Sequence, residues 1–261
     1  PIEVNELKNA FSNFSNKKIN VTICCNKDIQ YISKYSMMVN DDISEEPISN
    51  SIYSEIRKLS LRLSRISSIS CIDLSFFKDH LKEIQELINK RSFQIPENDK
   101  EVFRKILLHL FKFTEIDFSI KDLEKKDLLL DIVKKNRDKK IVVITSTNQG
   151  NDRLQSMIKH SCSKEVGVFQ SSSNIEVNDM YDLGIITGWP AGKALDQILL
   201  SNKFKHIIFI VYPYQVRWLK NKITTKNAIY SSINNDNIIN TLHEDNDSIS
   251  SLLIDYKILP E

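Results

Sequence analysis

The sequence predicts an α/β protein, a parallel sheet with helices on both faces, joined to an additional helical subdomain in the N-terminal half. Three observations predict it. From Lys121 onward, short continuous apolar runs alternate with amphipathic stretches, the pattern of strands buried on both faces between covering helices. All 5 glycines lie between Gly150 and Gly192, so the tight turns concentrate in the second half. The glycine-free first half carries apolar residues at helical spacing.

Taken in order, Lys18 to Cys25 (KINVTICC) reads as a buried strand, β-branched and short, with polar flanks. Asn40 to Asn50 is acidic and contains Pro47, which predicts a loop. Helices follow from three apolar sets: Ile52, Ile56, Leu59 and Leu63; Leu81, Ile84, Leu87 and Ile88; Val102, Phe103, Ile106, Leu107, Leu110 and Phe111. Ser67 to Leu74 has the composition of a strand, and Phe93 to Asp99, with Pro96, separates two helices. The regular alternation comes next: helix Leu123 to Lys135, strand Ile141–Thr145, helix Asp152–His160 and short strand Val166–Phe169. Strand Leu183–Thr187, helix Ala194–Leu200, strand His206–Val211 and a helix from Tyr214 to about Ile223 complete it. Thr224 to Ser250 is Asn/Asp/Ser-rich and reads as a loop with one weak helix (Ile233 to Leu242). Leu252–Leu259 has the pattern of an edge strand. The expected division is 1–120, a strand plus a mainly helical subdomain inserted in or packed on the sheet, and 121–261, the α/β lobe with its polar tail.

A chain of 261 residues is long enough for one large domain or two small ones. With 36 basic and 34 acidic side chains, the net charge of +2 gives no global case for nucleic acid, so any such case rests on local clustering. The 4 cysteines form no C-x-x-C pair and have no histidine at ligand spacing. Adjacent Cys24 and Cys25 sit inside an apolar run and read as reduced core thiols, which points to the cytoplasm. No apolar stretch approaches the ~20 residues needed to span a bilayer. Pro1 in place of Met fits either removal of an initiator Met or a fragment of a longer protein. The 5 histidines are scattered, so neither a metal site nor a proton relay is expected.

In an open parallel sheet, ligands bind beyond the carboxyl ends of the strands, and three segments qualify. Thr145-Ser146-Thr147-Asn148-Gln149-Gly150-Asn151 is rich in hydroxyls and amides and leads into a helix, so it suits either phosphate contacts or a plain N-cap turn. Thr187 then leads into Gly188-Trp189-Pro190-Ala191-Gly192-Lys193. This run lacks the G-x-x-x-x-G-K-[ST] spacing, and Ala194 stands where a Mg²⁺-binding hydroxyl belongs. Lys193 suits a phosphate, and Trp189 is either a stacking surface or core. The third segment interleaves Tyr214, Gln215, Arg217, Trp218 and Lys220. Arg217 and Lys220 share a helix face, which is either a phosphate-contacting or a solvated basic surface.

The order of these pieces resembles the second, RecA-like lobe of helicases of superfamilies one and two. The likeness lies in a strand ending in Thr-Ser-Thr before a helix, a short second strand, an Asp-led strand ending in Thr-Gly, and a last strand closing in Tyr-Pro. It covers Leu128 to Lys222 and is topological. Ile141–Thr147 stands at the family's motif IV, Asp182–Gly192 with Asp196 at motif V, and Gln215 and Arg217 at motif VI, whose Q-x-x-G-R-x-G-R signature is missing here. The Thr-Gly-Trp-Pro turn and the Tyr-Pro strand end also resemble helicase-like proteins of bacterial anti-phage defence of the DISARM (DrmE-type) kind. The resemblance implies a RecA-like fold, contacts to single- or double-stranded DNA, and an arginine-finger position for Arg217. It implies no cofactor bound by this chain alone. ATP would be shared with a partner lobe, and a Walker A lobe would lie upstream or on another chain among defence-complex subunits.

Two other readings stay open. One is a non-catalytic interaction or scaffold module of a defence complex. The other is a RecB-type nuclease fragment, from the Asp255-x-Lys257 strand, where a carboxylate binds metal and the lysine polarises the phosphate. An edge strand decorated by these two residues is the plain alternative.

Overall fold

The structure is a computed structural model, and the residues it describes are 14, 17–24, 32, 35, 46–65, 74–115, 123–148, 150–170, 172–176, 179–190, 192–234 and 243–244. Gln149, most of the expected strand 67–74, most of the weak helix 233–242 and the strand 252–259 with Asp255 and Lys257 lie outside them. The chain divides into two compact units, one of Pro1–Cys25, Ser67–Ser70 and Asp122–Glu261, the other of Asn26–Ile66 and Cys71–Lys121.

The second unit is helical, with α1 (Pro47–Arg65), α2 (Ser75–Lys90) and α3 (Glu97–Thr114). Helix α1 begins inside the stretch read as a loop, because Pro47 at a first helical turn needs no hydrogen bond for its missing N–H. Each helix buries one stripe: Ile52, Ile56, Leu59 and Leu63; Phe77, Leu81, Ile84 and Ile88; Phe103, Ile106, Leu107, Leu110 and Phe113. The Tyr53 and Phe103 rings meet at 4.5 Å within this core.

The first unit holds the sheet. Its strands are β1 (Lys18–Ile23), β2 (Ile141–Ile144), β3 (Gly167–Phe169), β4 (Tyr181–Ile186), β5 (Phe204–Val211) and β6 (His243–Glu244). They lie in the order β3-β2-β4-β5-β1-β6, and every pairing is parallel. β1 runs in register with β5 from Lys18↔His206 to Ile23↔Val211, so the helical unit is an excursion between two strands of one sheet.

Four helices cover it: α4 (Leu123–Lys135), α5 (Asn151–Cys162), α6 (Gly192–Leu200) and α7 (Pro213–Asn234). Side chains of successive strand residues point to opposite faces. Val21, Val142, Ile144, Ile207 and Phe209 join Leu195, Ile198, Val216, Leu219 and Ile223 in one core on the α6 and α7 side. The alternate residues Val143, Ile185, Ile208 and Ile210 are equally buried, as are Leu129, Val133, Leu154 and Ile158 of α4 and α5. This is the parallel α/β sheet with helices on both faces that the sequence predicts. No described helix is long and apolar enough to cross a membrane.

Helix α7 runs to Asn234, well past the expected end near Ile223. Its later residues have modest helix propensity, but Lys226 reaches back to the Asp196 carboxylate on α6 (3.1 Å), a tertiary tie that propensity alone does not register.

Scarce glycine has a visible consequence at the helix ends. Left-handed glycine is a common way to stop a helix and satisfy its last carbonyls. Here Ser163 adopts the left-handed conformation at the end of α5 (φ 51°). Elsewhere lysines take over. The Lys164 ammonium donates to the carbonyls of Asn136 and Arg137 just beyond α4. Lys17, only 5% exposed, donates to those of Ile198, Leu199 and Ser201 at the end of α6. A cation there also meets the negative end of the helix dipole.

Candidate functional site

The strand order singles out one crevice. The chain leaves β2 through α5 towards β3 on one side, and leaves β4 through α6 towards β5 on the other. β2 and β4 are neighbours, so their following loops diverge at a switch point, where open α/β sheets leave a crevice at the carboxyl ends. The two loops are 145–150 and 187–191.

Both strands end on a threonine with no exposed surface. The Thr145 N–H donates to the Phe169 carbonyl and the Thr187 N–H to the Ile144 carbonyl (2.9 Å each), which carries the ladder past the strand ends. The Thr145 hydroxyl donates to the Thr147 carbonyl (2.6 Å) and lies 2.9 Å from Asn151 Oδ1. The Thr187 hydroxyl points at the Ile144 carbonyl (3.4 Å). These two side chains shape the loops from inside. Ser146 and Thr147 are half-buried and Asn148 is exposed, so they form the accessible rim. Gly150 is left-handed (φ 78°) and starts α5 without a side-chain cap, so the N–H groups of that first turn have no side-chain acceptor from the cap position.

The loops touch at Gly188. A Cβ there would lie 2.7 Å from Ser146 Oγ and 3.0 Å from Ser146 N, so only glycine allows this approach. Trp189 and Pro190 are buried immediately after it. Trp189 meets Trp218 edge-on at 5.2 Å, Trp218 meets Tyr214 at 5.3 Å, and Tyr214 stacks on Tyr212 at 5.9 Å. This aromatic chain ties the second loop to α7, and it leaves Trp189 (8% exposed) and Tyr214 (4%) with little face for a base. A nucleotide-gripping loop needs an open cradle of backbone N–H groups. Here Gly188 is packed against Ser146, Pro190 contributes no N–H, and Ala194 offers no hydroxyl, so this run does not form such a cradle.

The cations are better placed. Lys193 is exposed in the first turn of α6. Arg217 is exposed and Lys220 half-buried, one turn apart near the start of α7. Gln215 is buried, and its Oε1 accepts the Tyr212 N–H (3.0 Å), so it closes the N-terminus of α7 as the third residue of a capping box does. The structure therefore gathers Ser146, Thr147 and Asn148 on one rim of the crevice. It sets Lys193 at the start of the helix that leaves the other loop, and Arg217 and Lys220 on a separate helix.

One residue at this end of the sheet escaped the sequence reading. Lys125 is fully buried in the first turn of α4, with its ammonium 4.4 Å from the centre of the Tyr212 ring, a cation–π contact. The signal was available: Lys125 stands at i−4 and i−8 from the core residues Leu129 and Val133, on the stripe that α4 buries. Among the described residues, no group of three or more His, Cys, Asp or Glu is arranged to hold a metal ion. In comparison with known proteins, no family model and no curated protein matches the chain.

Proposed function

We propose that this chain is the second, RecA-like lobe of a nucleic-acid-directed, helicase-like protein, which contacts the phosphates of DNA and does not hydrolyse ATP alone. The observation that carries the reading is the topological switch point between β2 and β4, with hydroxyls and an amide at Ser146, Thr147 and Asn148 on the loop that leaves β2, and a helix start without a side-chain cap after them. Hydroxyls, amides and free backbone N–H groups position phosphates without reading sequence. Lys193, Arg217 and Lys220 supply positive charge on the helices that follow the last two loops. The role in anti-phage defence, the need for a separate Walker A lobe and the arginine-finger position of Arg217 belong to this proposal and rest on the resemblance alone. A cytoplasmic setting fits Cys24 and Cys162, which are buried and in no disulfide.

Titration of the full chain with single- and double-stranded DNA at several salt concentrations tests it. Affinity is expected to fall steeply with salt, and removing one lysine or arginine from a phosphate should flatten the log–log slope by about 0.9 for duplex or about 0.7 for single strands. Arg217→Ala with Lys220→Ala is expected to flatten it, with little effect on folding, since Arg217 is exposed and Lys220 half-buried. Binding that ignores salt, or no binding, would reject the nucleic-acid reading and leave the scaffold role.

A further inference from the structure

We infer that the first turns of α1 and α3 hold a binding site for a small monovalent cation, an alkali-metal or ammonium ion, made by the Asp99 carboxylate with the side-chain oxygens of Ser49 and Asn50. Asp99 Oδ2, Ser49 Oγ and Asn50 Oδ1 are all buried and have no hydrogen-bond partner among the described residues. Ser49 has no exposed surface, and Asp99 is only 8% exposed. All three belong to the helical unit, so this site stands apart from the crevice and from the nucleic-acid reading.

Tyr53 brings these groups together. Its ring meets that of Phe103 on α3 at 4.5 Å, and its phenol, raised first by burial, is raised further by the nearby Asp99 carboxylate. Asp99 stands one turn before Phe103 on α3, and Ser49 and Asn50 stand one turn before Tyr53 on α1, each on the same side of its helix. A helical side chain leans over the turn that precedes its own Cα, which carries the Tyr53 phenol towards the turn of Ser49 and Asn50. The phenol is therefore beside the carboxylate of one helix and the two neutral oxygens of the other.

Neighbouring residues show which partners these oxygens lack. Ser64, buried on the same helix as Ser49, returns its hydroxyl to the Leu61 carbonyl (2.9 Å), the usual resort of a helical serine, whereas Ser49 makes no such bond. Glu97 and Glu101 on the exposed side of α3 pair with Lys100 (2.9 Å) and Lys105 (2.8 Å), whereas the buried Asp99 forms no ion pair among the described residues. The positive end of the α3 dipole offsets part of the cost of that carboxylate, but buried charges are as a rule paired as well. A water bridges such oxygens but brings no charge. One carboxylate balances one positive charge, so a divalent ion would leave a buried excess. Divalent sites also gather more carboxylates, and no group of three or more His, Cys, Asp or Glu able to hold a metal is present among the described residues.

The test is the melting temperature of the full chain in potassium, sodium, ammonium, magnesium and tetramethylammonium chlorides at one ionic strength. At least one of the three small monovalent ions is expected to raise it along a saturating curve, because a ligand that binds only the folded chain stabilises it by mass action. Tetramethylammonium carries the same charge but is too bulky to enter, and it is expected to have no such effect. In Asp99→Asn the response is expected to vanish, and in Ser49→Ala the half-saturating concentration is expected to rise by up to about tenfold. Equal melting temperatures in all the salts, a larger response to magnesium, or a response that survives unchanged in Asp99→Asn would overturn the site. A lower melting temperature in Asp99→Asn with no dependence on the ion in either protein points to a bridging water and overturns it too. Should Asp99→Asn fail to fold, sodium-23 line broadening decides: broadening by the wild type that potassium relieves and Ser49→Ala weakens supports the site, and its absence removes it.

Discussion

Gly188→Ala is expected to destabilise the sheet unit by about 1–3 kcal/mol, the range for forcing a methyl into a filled space. Gly188 is not left-handed, since Gly150 is the glycine with positive φ among the described residues, so the cost is steric and not conformational. The new Cβ would lie 2.7 Å from Ser146 Oγ, 2.9 Å from Ser146 Cβ and 3.0 Å from Ser146 N. The hydroxyl can swing away on its own rotamer, but the backbone nitrogen cannot. Nor can the second loop retreat easily. The Thr187 N–H is tied to the Ile144 carbonyl on one side, and Trp189 and Pro190 are buried on the other. Denaturant unfolding of Gly188→Ala, Ser146→Gly and the pair closes a double-mutant cycle. Removing the serine side chain clears two of the three close contacts, so the pair is expected to recover part of the loss, a coupling within the usual range of about 0.5–3 kcal/mol for touching residues. Strictly additive effects would show that the loops do not bear on each other. If the crevice holds phosphate, Gly188→Ala should also weaken DNA binding under conditions where the fold is intact, because it spreads the rim that carries Ser146 and Thr147.

The sheet was legible because fully buried parallel strands leave an unmistakable trace, about four to eight apolar residues between polar turns, and Ile141–Ile144 and residues 207–211 carry it. Strand β4 begins at Tyr181, two residues before the apolar run that starts at Leu183, because pairing extends past the apolar residues that mark the strand in the sequence. In the structure the Lys140 N–H donates to Asp182 Oδ2 (3.1 Å) and Lys205 Nζ to Oδ1 (2.8 Å), which holds that strand end. The crevice loops were legible as turns, but the direction of their side chains was not. Composition marks Thr145 and Thr187 as hydroxyls at strand ends, while only the folded chain reveals that both turn inward onto nearby carbonyls. In the sequence Trp189 reads either as core or as a stacking surface. Its contact with Trp218, 29 positions along the chain, is a tertiary fact that no local pattern encodes. The lysine caps are the same kind of case. A glycine-poor chain must stop its helices by other means, yet nothing near Lys17 in sequence points to carbonyls some 180 residues away.

That cap supports the second large expectation, which concerns pH. Burial pushes the Lys17 ammonium down to about 8 from its ordinary 10.5, while the carbonyls of Ile198, Leu199 and Ser201 hold its protons in place. The folded chain therefore releases this proton before the unfolded chain does. Below about pH 8 both states are charged, and the folded state bears the whole cost of the buried cation. Between about pH 8 and 10.5 the unfolded state binds more protons, so stability from this group rises with pH, by up to about 3 kcal/mol over the full window. Lys17→Met keeps the length of the side chain but loses both the charge and the donors. It leaves the end of α6 with buried carbonyls unserved, a cost of about 1–3 kcal/mol, and it relieves the desolvation that the wild type suffers at neutral pH. The two effects oppose each other at pH 7 and separate at pH 10, where the neutral amine of the wild type still donates. The stability gap between wild type and Lys17→Met is thus expected to be smallest near pH 7 and to widen steadily towards pH 10. Tyr53 works the other way, since burial and the nearby Asp99 push its phenol up to about 12 and stability from that group falls above pH 10. It is common to both proteins and cancels in the difference. Urea unfolding of the pair at pH 7, 8, 9 and 10 reads the gap directly, and a gap that stays constant across the series would mean that Lys17 does not change its protonation on folding.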